Sequence, residues 1–325
     1  MSRKQPGQHF LLSTAARTLS LVKVMRLSDD EAWATFKDLR WTATGGEPVC
    51  PRCGCLSIYT LSDNRRFKCA ACGHKFSVTS GTIFASRKLP IRDILAAIAI
   101  FVNGAKGHSA LQLSRDLDVQ YKTAFVLSHK LREALAAEQA EQELSGEVEV
   151  DGAYFGGYVK PANRREDRID RRLAMHQTGK RRCIVVIRER GGQTFPFLAR
   201  SEAAGVSTIA QRVQPGTIIH ADEANAYDAL EARFMTKRIN HSVEYATAEC
   251  NTNQAESFFS RLRRAEIGTH HHIAGPYIAS YASEMAWRED HRRVSNGEQF
   301  LMAGRAALEH PVSRQWKGYW QRAAA

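Results

Sequence analysis

The residues in this chain best suited to chemistry are carboxylates that recur where strands and a helix can bring them together. Residues 147–157 alternate Glu147, Glu149 and Asp151 with Val148 and Val150, then reach Tyr154, Phe155 and a glycine pair. Period-two alternation predicts a strand with the three acids on one face and the valines on the other. Three carboxylates on one face repel each other unless water or a cation meets them, so an acidic site is expected here. A second apolar run, 217–222, ends on Asp222. A third acid, Glu256, lies in a segment with apolar residues at 255, 258, 259 and 262, one face of a helix packed on a sheet. Arg263, seven residues on, shares a neighbouring stripe. Glu256 has a structural alternative, because Asn253 three residues earlier could cap the helix and close a capping box with it.

Hard oxygen donors of this kind suit Mg2+ or Mn2+. Phosphodiester cleavage needs an activated water or 3′-hydroxyl and a stabilised departing oxygen. Two divalent ions roughly 3.5–4 Å apart supply both. Asp151 would bridge the ions, Asp222 and Glu256 would each complete one, and Arg263 would hold a DNA phosphate.

A second chemistry is written in cysteine. Cys50 and Cys53 form one C-x-x-C pair and Cys69 and Cys72 another, each followed by glycine. That spacing is the ligand pattern of a structural Zn2+ site closed by four thiolates, with Cys55 and His74 outside it. Short hairpin strands are expected at 58–60 and 65–68.

The elements that position these groups fall into five segments. Residues 1–44 are an N-terminal helical segment, with a capping-box signature at Ser28 and Glu31. Residues 45–80 are the zinc ribbon. Residues 81–145 hold an apolar helix at 91–102 and two further helices, about 109–117 and 121–135, that resemble a helix-turn-helix. Leu111, Leu117, Val119, Ala124 and Leu127 would form its core, and Lys122, Lys130 and Arg132 would face DNA. Residues 146–295 alternate strands and helices in an α/β sheet whose strand ends carry the acids. Residues 296–325 are a basic tail containing Trp316, Tyr319 and Trp320.

Net charge of +12, from 46 Lys and Arg against 34 Asp and Glu, favours a polyanionic partner. Residues 160–182 concentrate nine of those cations, among them Arg164, Arg165, Arg171 and Arg172, as a clamp for phosphates. The longest apolar run, 94–102, is too short to span a bilayer, and no membrane partner is expected. Clustered cysteines point to a reducing, cytoplasmic setting, here associated with the nucleoid.

Taken in order, these motifs resemble bacterial insertion-sequence transposases with an N-terminal zinc ribbon and a DDE-type domain, the group related to the Merlin elements. The resemblance rests on Cys-Pro-Arg-Cys-Gly, Val-Asp-Gly-Ala-Tyr-Phe-Gly-Gly, His-Ala-Asp, Asn-x-x-Glu-Ser-Phe-Phe and the histidines 270–272. Asp151 and Asp222 lie 71 residues apart, and Asp222 and Glu256 lie 34 apart, the latter close to the usual DDE separation. The resemblance implies a ribonuclease-H-like catalytic domain behind the zinc ribbon and small helical domain. It further implies magnesium-dependent strand cleavage and transfer, and recognition of terminal inverted repeats and target DNA in double-stranded form by a homodimer. Asp151, Asp222 and Glu256 would be the catalytic triad, with Arg263 where many relatives carry Lys. Some relatives place Asn at the third position, which makes Asn253 a competitor of Glu256. The competing readings are a catalytically inactive or domesticated DNA-binding protein, and a structure-specific nuclease of the same fold.

Overall fold

The computed structural model describes residues 9–140, 143–156, 162–169, 181–222, 225–239 and 252–322. The chain divides into two units, one joining Met1–Glu138 to His291–Ala325 and the other running over Gln139–Asp290.

In the first unit α1 (Leu21–Met25) leads to α2 (Asp29–Arg40). The capping box at its start forms as the sequence expects: Glu31 N–H donates to Ser28 Oγ at 3.2 Å, and Ser28 N–H donates to the Glu31 carboxylate at 2.7 Å. Three short antiparallel strands follow, β1 (Ile58–Thr60), β2 (Arg66–Cys69) and β3 (Lys75–Ser77). The third lies beyond the two expected from the sequence. Gly54 and Gly73 follow the cysteine pairs with φ of 72° and 67°, the left-handed turn that glycine takes without strain. Phe67 and Phe76 are buried, and Trp41 meets both edge-on, with ring centroids 5.5 and 6.4 Å away. Trp33 stacks on Phe67 at 6.2 Å. Strands this short need such packing or a metal to persist.

Helix α3 (Ile91–Asn103) is buried without a break from 94 to 102, hence its unalternating apolar sequence. Helices α4 (Ala110–Asp116) and α5 (Tyr121–Ala140) follow with a tight connection, where Asp118 takes φ of 50°. Their core differs from expectation. The buried stripe of α4 is Ala110, Leu113 and Ser114, so Leu111 points outward and Leu117 and Val119 are only partly covered. Ala124 and Leu127 are buried as expected.

The second unit contains β4 (Glu147–Phe155), β5 (Arg182–Glu189), β6 (Thr194–Ala199), α6 (Glu202–Arg212), β7 (Ile218–Asp222), β8 (Met235–Ile239), α7 (Asn253–Gly268) and α8 (Ile278–Asp290). Its five-stranded sheet has the order β6-β5-β4-β7-β8. The pairs β4/β5 and β5/β6 are antiparallel, while β4/β7 and β7/β8 are parallel. On one face Ala153, Phe155, Ile184 and Val186 pack against Ala255, Phe258, Phe259 and Leu262 of α7 and Tyr281 and Met285 of α8. The other face presents Val148, Val150, Val185, Ile187, Ile219 and Ala221 to Ile209 of α6 and to Tyr227 and Leu230. Those last two belong to a 3-10 turn, Asn225–Leu230.

The chain returns to the first unit with α9 (Asn296–Glu309) and α10 (Tyr319–Arg322). Helix α9 packs on α2 and α3 and buries Phe300, Ala303, Ala307 and Leu308. Asn296 accepts from the N–H groups of Thr18 and Leu19 at 2.9 and 2.8 Å. Trp316 is buried with its ring 4.3 Å from that of His129. Residues 296–322, expected as a basic tail, are thus part of the first unit, where the apolar face of α9 packs. Among the described residues no helix is long and apolar enough to cross a membrane.

Candidate active site and zinc centre

The four cysteines converge. Cys50 and Cys72 sulfurs lie 3.6 Å apart, as do those of Cys53 and Cys69, and all four fall within 4.8 Å of one another. A tetrahedron of sulfurs with zinc bonds of about 2.3 Å has edges of roughly 3.8 Å, so the cage fits Zn2+. Cys55 and His74 stand outside it, as expected. With all four positions taken by thiolates, a bound ion would organise the ribbon and leave no open site for catalysis.

The acids are set by strand register. Val150 pairs with Ala221 in the parallel β4/β7 ladder, so the next residues, Asp151 midway along β4 and Asp222 at the end of β7, stand side by side. Both project toward the α7 face, as Glu149 and His220 do two residues earlier. Glu256 occupies the first turn of α7, which lies across Ala153 and Phe155 of the same face. Burial pushes the Asp151 carboxyl up to about 6, and the negative charges of Glu202, Glu256 and Asp222 push the same way. The Gly152 N–H, 2.7 Å from Asp151 Oδ1, opposes them. The three carboxylates do not all approach within 4.8 Å of one another as the thiolates do. Like charges keep such a spacing, and rotatable side chains close it when a cation offsets the repulsion. Arg263 is exposed on α7, its guanidinium 5.7 Å from the centre of the Phe155 ring at the end of β4.

The other two strand acids have protein partners, which corrects the expectation that all three need water or a cation. Glu147 is 2.8 Å from Arg190 and 3.1 Å from His220 Nε2. Glu149 is wholly buried and accepts the N–H groups of Gln254 at 2.7 Å and Ala255 at 3.1 Å, together with Arg190 Nε at 3.1 Å. The cap of α7 therefore comes from β4. Thr252 is the N-cap residue and makes no side-chain cap, and Asn253 is already inside the helix. The Asn253–Glu256 capping box does not form, because Asn253 already lies past the N-cap. Glu149→Ala should strand two helix N–H groups and take from the partly buried Arg190 one of its two carboxylate partners, costing about 3 kcal/mol. A urea midpoint unchanged from wild type would show that the cap does not hold α7.

Of the residues expected on DNA, Lys122 is exposed with Nζ 5.2 Å from the Trp320 ring centre. Lys130 is partly covered, and that burial lowers its ammonium pKa despite the opposing charge of Glu133. Both line a concavity of about 630 Å³ with Arg87, Lys88, Trp316 and Trp320. Arg132 is a correction: its side chain is 1 % exposed, with the guanidinium 5.8 Å from the centre of the Phe101 ring, too deep to meet a phosphate. Arg164 and Arg165 are exposed, whereas Arg171 and Arg172 lie outside the described residues. His270 packs at 4.6 Å on Tyr281, and His271 and His272 are exposed.

Two groups beside the acids escaped the sequence reading. Glu202 opens α6 and lies against Gly152, and Tyr227 is buried with its hydroxyl in the field of the same carboxylates. The one signal was Gly152 itself, since glycine inside a strand marks a close approach of something else.

Comparison with known proteins agrees with this layout. Residues 143–290 match the ISXO2-like transposase domain, and residues 27–75 match the transposase zinc-ribbon domain. An "uncharacterized protein in transposable element ISH50" of Halobacterium salinarum is 26 % identical over 296 residues, covering 87 % of this chain and 95 % of that protein.

Proposed function

This chain belongs to the insertion-sequence transposases that set a zinc ribbon ahead of an ISXO2-like transposase domain, and we propose that it binds the terminal inverted repeats of its element and cuts and joins DNA strands with the help of magnesium. The observation that carries this reading is the parallel register that sets Asp151 beside Asp222, with Glu256 near enough to raise the Asp151 pKa. The strand order, three antiparallel strands followed by two parallel ones, supports a ribonuclease-H-like assignment for the second unit.

In this reading Asp151, Asp222 and Glu256 hold Mg2+ or Mn2+, for which their hard oxygens and mutual repulsion are suited. When bound, such ions acidify the attacking water or 3′-hydroxyl and stabilise the departing oxygen. The protein's own task is placement. Glu149 fixes the N-terminus of α7 and thereby the reach of Glu256 toward Asp151. Arg263, exposed on the same helix, meets a phosphate near the scissile bond. Lys122, Lys130, Arg164 and Arg165, with Arg171 and Arg172, hold the backbone further along the duplex. Two copies of the chain, one per element end, complete the assembly.

The test is to incubate the full-length protein with a labelled element end and either magnesium or a chelator. Cleavage at the end that needs magnesium is expected. A protein that shifts the same DNA in a gel yet never cuts it would instead fit a binding protein on this scaffold.

A further inference from the structure

We propose that Glu202 is a fourth carboxylate of the divalent-cation site, and that the Tyr227 hydroxyl lines the same space and bonds to the water such an ion carries. The inference rests on the acidic-site reading above and adds residues from α6 and the 3-10 turn to it.

Three observations carry it. First, the Glu202 side chain occupies the space over Gly152, the residue directly after Asp151. A Cβ at position 152 would sit 2.3 Å from Glu202 Cγ, 2.6 Å from Cδ and 2.9 Å from Oε1. The glycine is therefore what lets this carboxylate come up, from the α6 face, to the backbone beside Asp151, whose Oδ1 turns back to the Gly152 N–H at 2.7 Å. Second, Glu202 is partly buried and makes no hydrogen bond or ion pair with any described residue. A covered carboxylate is costly without a cationic or hydrogen-bonding partner. Burial, and then the charge of Asp222, hold its pKa above the usual range. Third, Tyr227 is fully buried, and its hydroxyl has no hydrogen-bond partner among the described residues. A buried phenol ordinarily finds one. Burial raises its pKa, and the charges of Glu202, Asp151, Cys183 and Asp222 raise it further, which supports a phenol on the α6 face near the same acids. Magnesium keeps several of its waters when carboxylates bind it, and a ligated water is the partner this hydroxyl lacks.

A first-turn acid also gains from the α6 dipole, but that gain is independent of any cation. The test therefore reads metal binding directly. Zinc-loaded full-length chain is titrated with Mn2+, and free Mn2+ is followed by electron paramagnetic resonance, for wild type, Glu202→Gln, Tyr227→Phe and Asp222→Asn. Thermal unfolding is recorded with and without Mn2+. Glu202→Gln should weaken Mn2+ binding about tenfold and shrink the metal-induced rise in Tm, while its metal-free Tm equals or exceeds wild type as repulsion is relieved. Tyr227→Phe should weaken binding about threefold. If the glutamine does not fold, Glu202→Ala empties the same space and gives the same readout. Mn2+ affinity at the wild-type level in the Glu202 variant overturns the proposal. Asp222→Asn then tells whether the three-acid reading falls with it: weakened binding there removes Glu202 alone, and unchanged binding removes both.

Discussion

Under the proposed function, Asp222→Asn should abolish magnesium-dependent strand cleavage and leave affinity for terminal-repeat DNA within about twofold of wild type, because phosphate contacts elsewhere would supply that affinity. Asparagine keeps the volume of aspartate, and the β7 backbone pairs with β4 and β8 whatever the side chain, so the fold should persist. What is lost is a negative oxygen beside Asp151. A cation held through fewer carboxylates stabilises the transition state less, and a deficit of about 4 kcal/mol corresponds to a rate loss of roughly a thousandfold. In the proposed function DNA is held away from the substituted atom, by exposed cations such as Lys122 and Arg164. A labelled-end cleavage gel and a mobility shift on the same preparation check both halves. Cleavage retained at more than about a tenth of the wild-type rate would take Asp222 out of the mechanism.

Cys69→Ser should have the largest effect on the other unit. Cys69 is fully buried at the end of β2, and its sulfur is one vertex of the thiolate cage. Zinc binding to sites of this type is worth about 10–16 kcal/mol and is folding energy for strands as short as β1, β2 and β3. With serine in place, the protein should purify without stoichiometric zinc. Near-ultraviolet dichroism should also fall, because Trp33 and Trp41 take their fixed environment from Phe67 and Phe76. DNA affinity should drop at least about tenfold as the ribbon ceases to present a defined surface. Full zinc content in the serine variant would contradict the four-thiolate assignment.

How much of this could be read from the chain depended on how local each feature is. The cysteine cage was legible because its spacing is itself the chemistry, and the capping box at Ser28 because cap and partner are three residues apart. The buried stripe of α7 was legible for the same reason, since Ala255, Phe258, Phe259 and Leu262 share one helix face wherever the helix docks. Glu149 was not. On an isolated strand it is equivalent to Glu147 and Asp151, and only the approach of Gln254 and Ala255, over a hundred residues on, turns it into a helix cap. Arg132 misled in the opposite direction, because a cation on a basic helix looks solvated until Phe101 covers it. Glu202 sits in a first helical turn, a position common for acids, and nothing local reveals that it lies against Gly152. Periodicity reports which residues share a face; it does not report what that face meets.

The division of the chain has a bearing on how the gene decays. The first unit is interrupted after Glu138 and resumes at His291, and α9 supplies part of its core, with Leu39 of α2 packed close on Gly304. A premature stop or frameshift beyond Asp290 would leave the whole acid-bearing unit translated. It would remove Phe300, Ala303 and Trp316 from the unit that holds the ribbon. Under the proposed function, late nonsense mutations should therefore yield copies that keep their blade and lose their grip on the element.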